Sequence, residues 1–245
     1  MSCYTDFAYI YDMLTEDVEY QKRADYLELL FKKYLKDKPV LIADIGCGTG
    51  TMCSILSDRG YDMIGIDSSA SMLNVAREKS EGKDILYLLQ SMTEFELYGT
   101  VDVCLSLLDS VNYLTDDDDF DRLIKLVKNY LNPGGLFIFD INTPSKFENI
   151  LADNIYTYEN EKVFYTWENS FDGKICEFYL NFFVENENGT YNRITEQHFE
   201  RCYQIEELVD IIKNNGMTVV SVFGDLSEKM YKNSDERVYF IVKKD

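Results

Sequence analysis

Val40-Leu41-Ile42-Ala43-Asp44-Ile45-Gly46-Cys47-Gly48-Thr49-Gly50, followed by Gly65-Ile66-Asp67-Ser68-Ser69, decides how this chain is read. A short apolar run ending in an acid, then three glycines spaced by two, reads as a buried parallel strand feeding a tight loop that opens a helix. The next apolar run ends in a second acid, Asp67. An acid at that strand end is placed to accept hydrogen bonds from a ribose diol.

A dinucleotide is the first ligand to weigh, because nicotinamide enzymes use G-x-G-x-x-G at the same turn. Here the third glycine comes one residue early, and Thr51 stands where the last should be. Charge separates the alternatives further. A pyrophosphate wants the positive end of the helix and no anion nearby, yet Asp44 lies two residues before the first glycine. S-adenosylmethionine has no phosphate. Its ammonium and sulfonium are cations that Asp44 favours, while loop N–H groups meet its carboxylate. The expected cofactor is therefore S-adenosyl-L-methionine, with S-adenosyl-L-homocysteine as product.

With these residues the chain resembles the class I S-adenosylmethionine-dependent methyltransferases, and among them the bacterial small-molecule type with an N-terminal tyrosine-rich segment. The resemblance runs over nearly the whole chain. Ala43 to Gly50 looks like the family's first motif and Gly65 to Leu73 like its second, while Leu131-Asn132-Pro133-Gly134-Gly135-Leu136-Phe137-Ile138-Phe139 is similar to the turn and strand after the fourth core helix. The resemblance implies a Rossmann-like, doubly wound α/β sheet of seven strands, the last antiparallel. It also implies a cofactor set of Tyr4, Tyr11, Asp44, Gly46, Cys47, Gly48, Gly50, Asp67, Ser68, Met72, Gln90, Ser91, Met92 and Leu107. The family usually has an acid where Ser91 stands, to accept from the adenine amino group; a serine hydroxyl accepts more weakly. Met72 and Met92 either flank the adenine ring or belong to the core. Tyr4, Phe7, Tyr9 and Tyr11 lie in a segment that folds over the cofactor in the resembling family, and a tyrosine ring face attracts a sulfonium. Leu107 to Tyr113 resembles the segment that passes beneath the methionyl moiety and faces the acceptor, which makes Asp109 and Tyr113 catalytic candidates, with Tyr11 of the N-terminal segment a third.

Along the chain, Asp17 to Lys36 carries Tyr26, Leu29, Leu30 and Tyr34 as one stripe of an amphipathic helix. Strands are expected near 40–45, 62–67, 84–89, 101–107 and 136–141. Helices with suitable caps or stops separate them at Met52–Arg59, Ser69–Ser80 and Asp118–Leu131. Strand and helix alternation of this kind calls for a parallel sheet covered on both faces. From Pro144 to Tyr203 the texture changes to aromatic and β-branched runs, with turns at Asp172-Gly173 and Asn188-Gly189, so residues 144–203 read as an inserted antiparallel β sheet. Gln204 to Asn215 returns to helical spacing, and Val219–Phe223 and Val238–Val242 close the core sheet. The expected organisation is a cofactor-binding core of residues 1–143 and 204–245 and a substrate lid of 144–203, because ligands of open α/β sheets sit beyond the carboxyl ends of the strands.

The 245 residues suffice for a full core. A formal charge of −20 disfavours nucleic acid, whose binding draws most of its affinity from Lys and Arg. No apolar run approaches the roughly 20 residues that span a bilayer, and the start lacks the pattern of a secretory signal. A cytoplasmic monomer or homodimer acting without a membrane is expected. The six cysteines show no zinc spacing and are read as reduced thiols, Cys47 filling a loop position that needs a small side chain. No metal is expected; Asp116 to Asp119 read as the capped, solvated start of a helix.

His198 is the sole histidine and falls on the expected lid, where it serves either as a base or as a structural residue. Tyr113, Trp167 and Arg201 are expected to bind the acceptor, Arg201 alternatively pairing with a neighbouring Glu. The leading function is methyl transfer to nitrogen or oxygen of a small molecule. The alternatives are a non-catalytic S-adenosylmethionine-binding protein and a methyltransferase acting on tRNA or protein.

Overall fold

The computed structural model describes residues 8, 11, 12, 15, 18–159, 163–186 and 188–245. From helix α1 (Tyr20–Tyr34) the chain alternates through β1 (Leu41–Ile45), α2 (Thr51–Asp58), β2 (Asp62–Asp67), α3 (Ala70–Lys79), β3 (Ile85–Leu89), β4 (Val101–Ser106), α4 (Asp119–Tyr130) and β5 (Leu131–Asn142). It then makes β6 (Ile155–Glu159), β7 (Val163–Phe171), β8 (Ile175–Glu185) and β9 (Tyr191–Arg201). Helix α5 (Ile205–Asn214) returns it to β10 (Thr218–Gly224) and β11 (Arg237–Lys243).

Seven strands form one sheet in the order β10-β11-β5-β4-β1-β2-β3. All run parallel except β11, which pairs antiparallel with both β5 and β10. The period-two rule sorts its side chains to two cores. Phe137, Phe139 and Ile141 of β5, with Val238, Phe240 and Val242 of β11, join α4 and α5 on one face. Leu136 and Ile138, with Tyr239 and Ile241, join α1 and α2 on the other. Phe139 stacks on Phe240 with ring centroids 4.6 Å apart. In α1 the buried stripe is Tyr26, Leu27, Leu30 and Phe31, and Leu29, expected in it, is exposed. Adjacent positions on a helix lie about 100° apart, so burial of Leu30 and Phe31 turns Leu29 outward.

Strands β6 to β9 form a separate antiparallel sheet in chain order. Its turns follow from sequence chemistry: the Asp172 carboxylate accepts the N–H groups of Lys174 and Ile175, beside Gly173 at φ +93°, and the Asn188 side chain accepts from the Thr190 N–H. Phe147, Val163, Phe178, Leu180, Phe182 and Ile194 give it a core of its own. One expectation fails at its start. Residues 144–151 are helical, not β, because the Thr143 hydroxyl caps the Lys146 N–H and Pro144 takes the first helical position. The acidic run differs from the expected capped, solvated helix start: Asp118 makes no side-chain cap, and the Asp117 carboxylate binds Lys174 and Arg201 of the second sheet, each at 2.7 Å. Asn112 adds a buried tie, its Nδ2 donating to the Arg201 carbonyl at 2.9 Å.

Candidate active site

Strand order reverses between the neighbours β1 and β4: after β1 the chain runs through β2 and β3 to one sheet edge, after β4 through β5 towards the other, and this switch point opens a crevice at their carboxyl ends. The loop after β1 is tied down there by the Gly46 and Cys47 N–H groups, which donate to the Ile66 carbonyl at 2.7 and 3.0 Å. Gly48 sits at φ +55° with nothing within 4 Å of where a Cβ would project, and lines the crevice. The two oxygens of Asp67 accept from the Gly48 and Ser69 N–H groups, both at 2.8 Å, which fixes the carboxylate at the cavity wall with lone pairs to spare. Gly50 is constrained from the protein side. It caps α2 at φ +69° with its Cα against Tyr87 and Ala76, where a Cβ would approach the Tyr87 hydroxyl to 2.5 Å; it lines neither the cavity nor the adjoining recess. Its role is close packing.

The cavity measures about 630 Å³. Ser68, Met72, Gln90, Ser91 and Met92 line it. The Ser91 hydroxyl is engaged by the N–H of Thr93 at 3.2 Å and by its hydroxyl. Asp44, Cys47 and Leu107 face a smaller recess that shares Tyr11, Gly46, Gly48 and Ser110 with the main cavity. Tyr4 lies outside the described residues.

Asp44 is buried and accepts from the Cys53 thiol at 3.4 Å. Burial, with Asp67 and Asp140 nearby, pushes its carboxyl up to about 6. The folded chain therefore holds this proton to higher pH than the unfolded chain does. Stability is present at low pH and lost as pH rises through about 6, by about 3 kcal/mol. Asp44→Asn is accordingly expected to stabilise the unliganded protein at pH 7.5, with the gain shrinking towards pH 4. Urea unfolding at both pH values checks this, and a variant less stable at pH 7.5 would show that the charge is already compensated.

At the end of β4, Leu108 and Asp109 both adopt φ near +55°, a region that non-glycine residues rarely enter. The fully buried Asp140 carboxylate holds them there, accepting from the Leu108 N–H at 2.8 Å and the Asp109 N–H at 3.2 Å. Arg237 joins the cluster, bridging the carboxylates of Asp109 and Asp140 and donating to Asn142 Oδ1 at 3.1 Å. Asp109 and Arg237 both reach the cavity. Sequence reasoning missed Arg237 and Asp140, which meet only because β11 lies beside β5, with Asp140 opposite Tyr239.

The far wall belongs to the second sheet. Trp167, Leu180 and Glu196 stand opposite one another on β7, β8 and β9, and Phe178 faces His198. Glu196, His198 and Glu200 alternate along β9, so all three point into the cavity. Tyr113 packs edge-on to His198, ring centroids 5.8 Å apart. Burial pushes the His198 imidazole down and the Tyr113 phenol up, keeping both neutral. Burial likewise raises Tyr11, which lines both spaces. Arg201, one residue out of phase with the cavity row, does not line the cavity; it is held by Asp117 and, at 2.8 Å, by Glu207. Glu196 and Glu200 were missed, although their spacing from His198 in a strand was the available signal.

A methyltransferase-domain family model matches residues 42–135. A Geobacillus sp. (strain WCH70) protein assigned as a methyltransferase is 30% identical over 246 residues, covering 98% of this chain and 99% of that protein. An S-adenosylmethionine-dependent methyltransferase from Clostridium acetobutylicum superposes with a TM-score of 0.88 at 32% identity, covering 99% of each chain. The chain belongs to the class I S-adenosylmethionine-dependent methyltransferases. At 18% identity, S-adenosylmethionine-bound CalS10, an amino pentose methyltransferase from Micromonospora echinaspora, shares this methyltransferase's fold with a TM-score of 0.78 over 96% of this chain and 97% of that one. The cavity suits the cofactor on its own terms: Gly48 leaves open space, Asp67 offers a fixed acceptor, and buried Asp44 lacks the cation that an ammonium would supply.

Proposed function

We propose that this methyltransferase acts on a nitrogen or oxygen of a small molecule enclosed between the strand ends and the second sheet, residues 144–203 serving as a substrate lid on the core of 1–143 and 204–245. The observation that carries the reading is the cavity itself. Its volume of about 630 Å³ lies in the range of small-molecule sites, and one wall is the glycine loop and Asp67 while the other is the inner face of the second sheet. A net charge of −20 further disfavours a tRNA partner.

When bound, S-adenosylmethionine supplies an electrophilic methyl group on a sulfonium that is already a good leaving group. Little covalent chemistry is then left for the protein, and its contribution is positioning and exclusion of water. Asp67 takes the ribose, Asp44 favours the methionyl ammonium, and Ser68, Gln90, Ser91 and the two methionines surround the adenine. Tyr11, Asp109, Tyr113, Trp167 and His198 face the acceptor, and neutral His198 is able to take up a proton.

Incubation of the protein with methyl-labelled cofactor and a metabolite extract is expected to place label in small molecules. Label confined to tRNA or protein, or no transfer despite cofactor binding, would overturn the proposal.

A further inference from the structure

Asp12, the neighbour of Tyr11, is fastened to the glycine loop by a lysine from another helix. Its Oδ1 accepts from the Thr49 hydroxyl at 2.6 Å, and its Oδ2 pairs with the Lys79 ammonium at 2.7 Å. Lys79 also donates to the Thr51 hydroxyl at 2.6 Å and to the Thr49 hydroxyl at 3.3 Å, so its three protons are all used. Thr49 belongs to the loop after β1, Thr51 opens α2, and Lys79 ends α3, where the helix dipole favours a cation. One ammonium thus joins Asp12 to the elements that shape the cofactor site.

What this fastening places is Tyr11. Tyr11 lines both the main cavity and the recess faced by Asp44, Cys47 and Leu107. Its carbonyl accepts from the Thr15 N–H at 3.1 Å and the Thr15 hydroxyl at 3.0 Å, and its phenol hydrogen-bonds with that of Tyr20, which also lines the recess. With Met72 it packs against the core of the second sheet. The ring therefore stands where the two spaces join.

Burial of the fastening is uneven. Thr49 is 2% exposed, whereas the Lys79 and Asp12 side chains keep 30% and 32% of their surface. A partly hydrated ion pair adds little to global stability and is weakened by salt. It also breaks without uncovering apolar surface, since water takes over both charges. Cofactor has to enter and its demethylated product to leave at every turnover, and a tie that holds Tyr11 yet stays open to water serves both demands.

We propose that Asp12 and Lys79 are positioning residues: by tying the turn that carries Tyr11 to the glycine loop, they hold its ring across the cofactor site and set the rate at which S-adenosylhomocysteine leaves. The proposal rests on the cofactor assignment and not on the identity of the acceptor.

The test follows release of tritiated S-adenosylhomocysteine from the whole chain, chased with unlabelled ligand. Lys79→Met and Asp12→Asn are each expected to speed release about fivefold while the unliganded protein melts within about 2 °C of the parent. Raising salt from about 20 to about 500 mM should speed release from the parent about threefold and leave Lys79→Met unmoved, because the ligand carries no net charge and the ion pair is what salt screens. In a Tyr11→Ala background, Lys79→Met should change the rate by less than about twofold, since a residue that acts through Tyr11 has nothing left to position. A purely structural pair would instead shift the melting temperature and leave release and its salt dependence unchanged. Unchanged release from folded Lys79→Met protein overturns the proposal, as does the full effect persisting without Tyr11. If Tyr11→Ala does not fold, the salt dependence of the parent against Lys79→Met decides. Failure of the cofactor assignment would show separately, as no binding of the tritiated ligand by the parent.

Discussion

Arg237→Met is expected to destabilise the folded protein by about 3–5 kcal/mol, the usual cost of removing one partner from a buried ion pair. The guanidinium is the shared counter-ion of Asp109 and Asp140, and Asp140 is entirely enclosed. Without it, two carboxylates face each other with only the Leu108 and Asp109 N–H groups and no positive charge between them. The strained backbone at Leu108 and Asp109 then hangs on an Asp140 carboxylate whose charge is no longer balanced by Arg237. A fall of roughly 10 °C in melting temperature follows for a chain of this size. Adding Asp140→Asn should recover part of the loss, because the amide keeps one acceptor and removes the uncompensated charge. Chemical unfolding of the single and double variants decides it; a loss below about 1 kcal/mol would mean that the cluster is well solvated.

Replacing residues 153–200 by a short Gly/Ser linker is expected to lower methyl transfer by more than about 10²-fold while leaving S-adenosylhomocysteine binding largely in place. Positioning of the acceptor supplies most of the rate, and displacements of about an ångström already cost 10²-fold. The linker removes Trp167, Phe178, Leu180, Glu196, His198 and Glu200 from the cavity wall but spares the glycine loop and Asp67. Arg201 to Tyr203 must stay. The Arg201 carbonyl holds Asn112, and the buried Tyr203 donates to the Leu114 carbonyl at 2.5 Å and packs on Phe120. Circular dichroism and cofactor titration establish that the variant is folded. A single substitution, Trp167→Ala, provides the same contrast if the shortened chain does not fold: cofactor affinity retained, turnover reduced. Unchanged transfer in a folded, lid-less protein would refute the lid.

The core was legible because its signals are local. Each strand from Leu41 to Asn142 is a short apolar run, each intervening helix has a start or stop nearby, and the glycines at 46 and 48 declare a loop that a ligand approaches closely. The hairpin turns of the second sheet were legible for the same reason. Residues 144–151 were swept into the β segment that follows them, because the Thr143-Pro144 start that makes them helical is only a two-residue signal. Gly50 completes the motif, and the packing of Tyr87, a residue on another strand, gives it a need for glycine that the motif does not reveal.

Sequence alone determined the architecture, the cofactor and the acid that ends the second strand, since these depend on periodicity, glycine geometry and charge within a few residues of one another. The composition of the cavity was decided only by tertiary structure. Arg237 meets Asp109 across 128 residues of chain, Arg201 turns out to Asp117 and Glu207, and Glu196 and Glu200 come to line the cavity only when β9 is laid against the mouth of the crevice. Side-chain charge is written in the sequence; which charges are left uncompensated depends on what folding brings within a few ångströms of them, because burial removes the water that would otherwise screen each one separately.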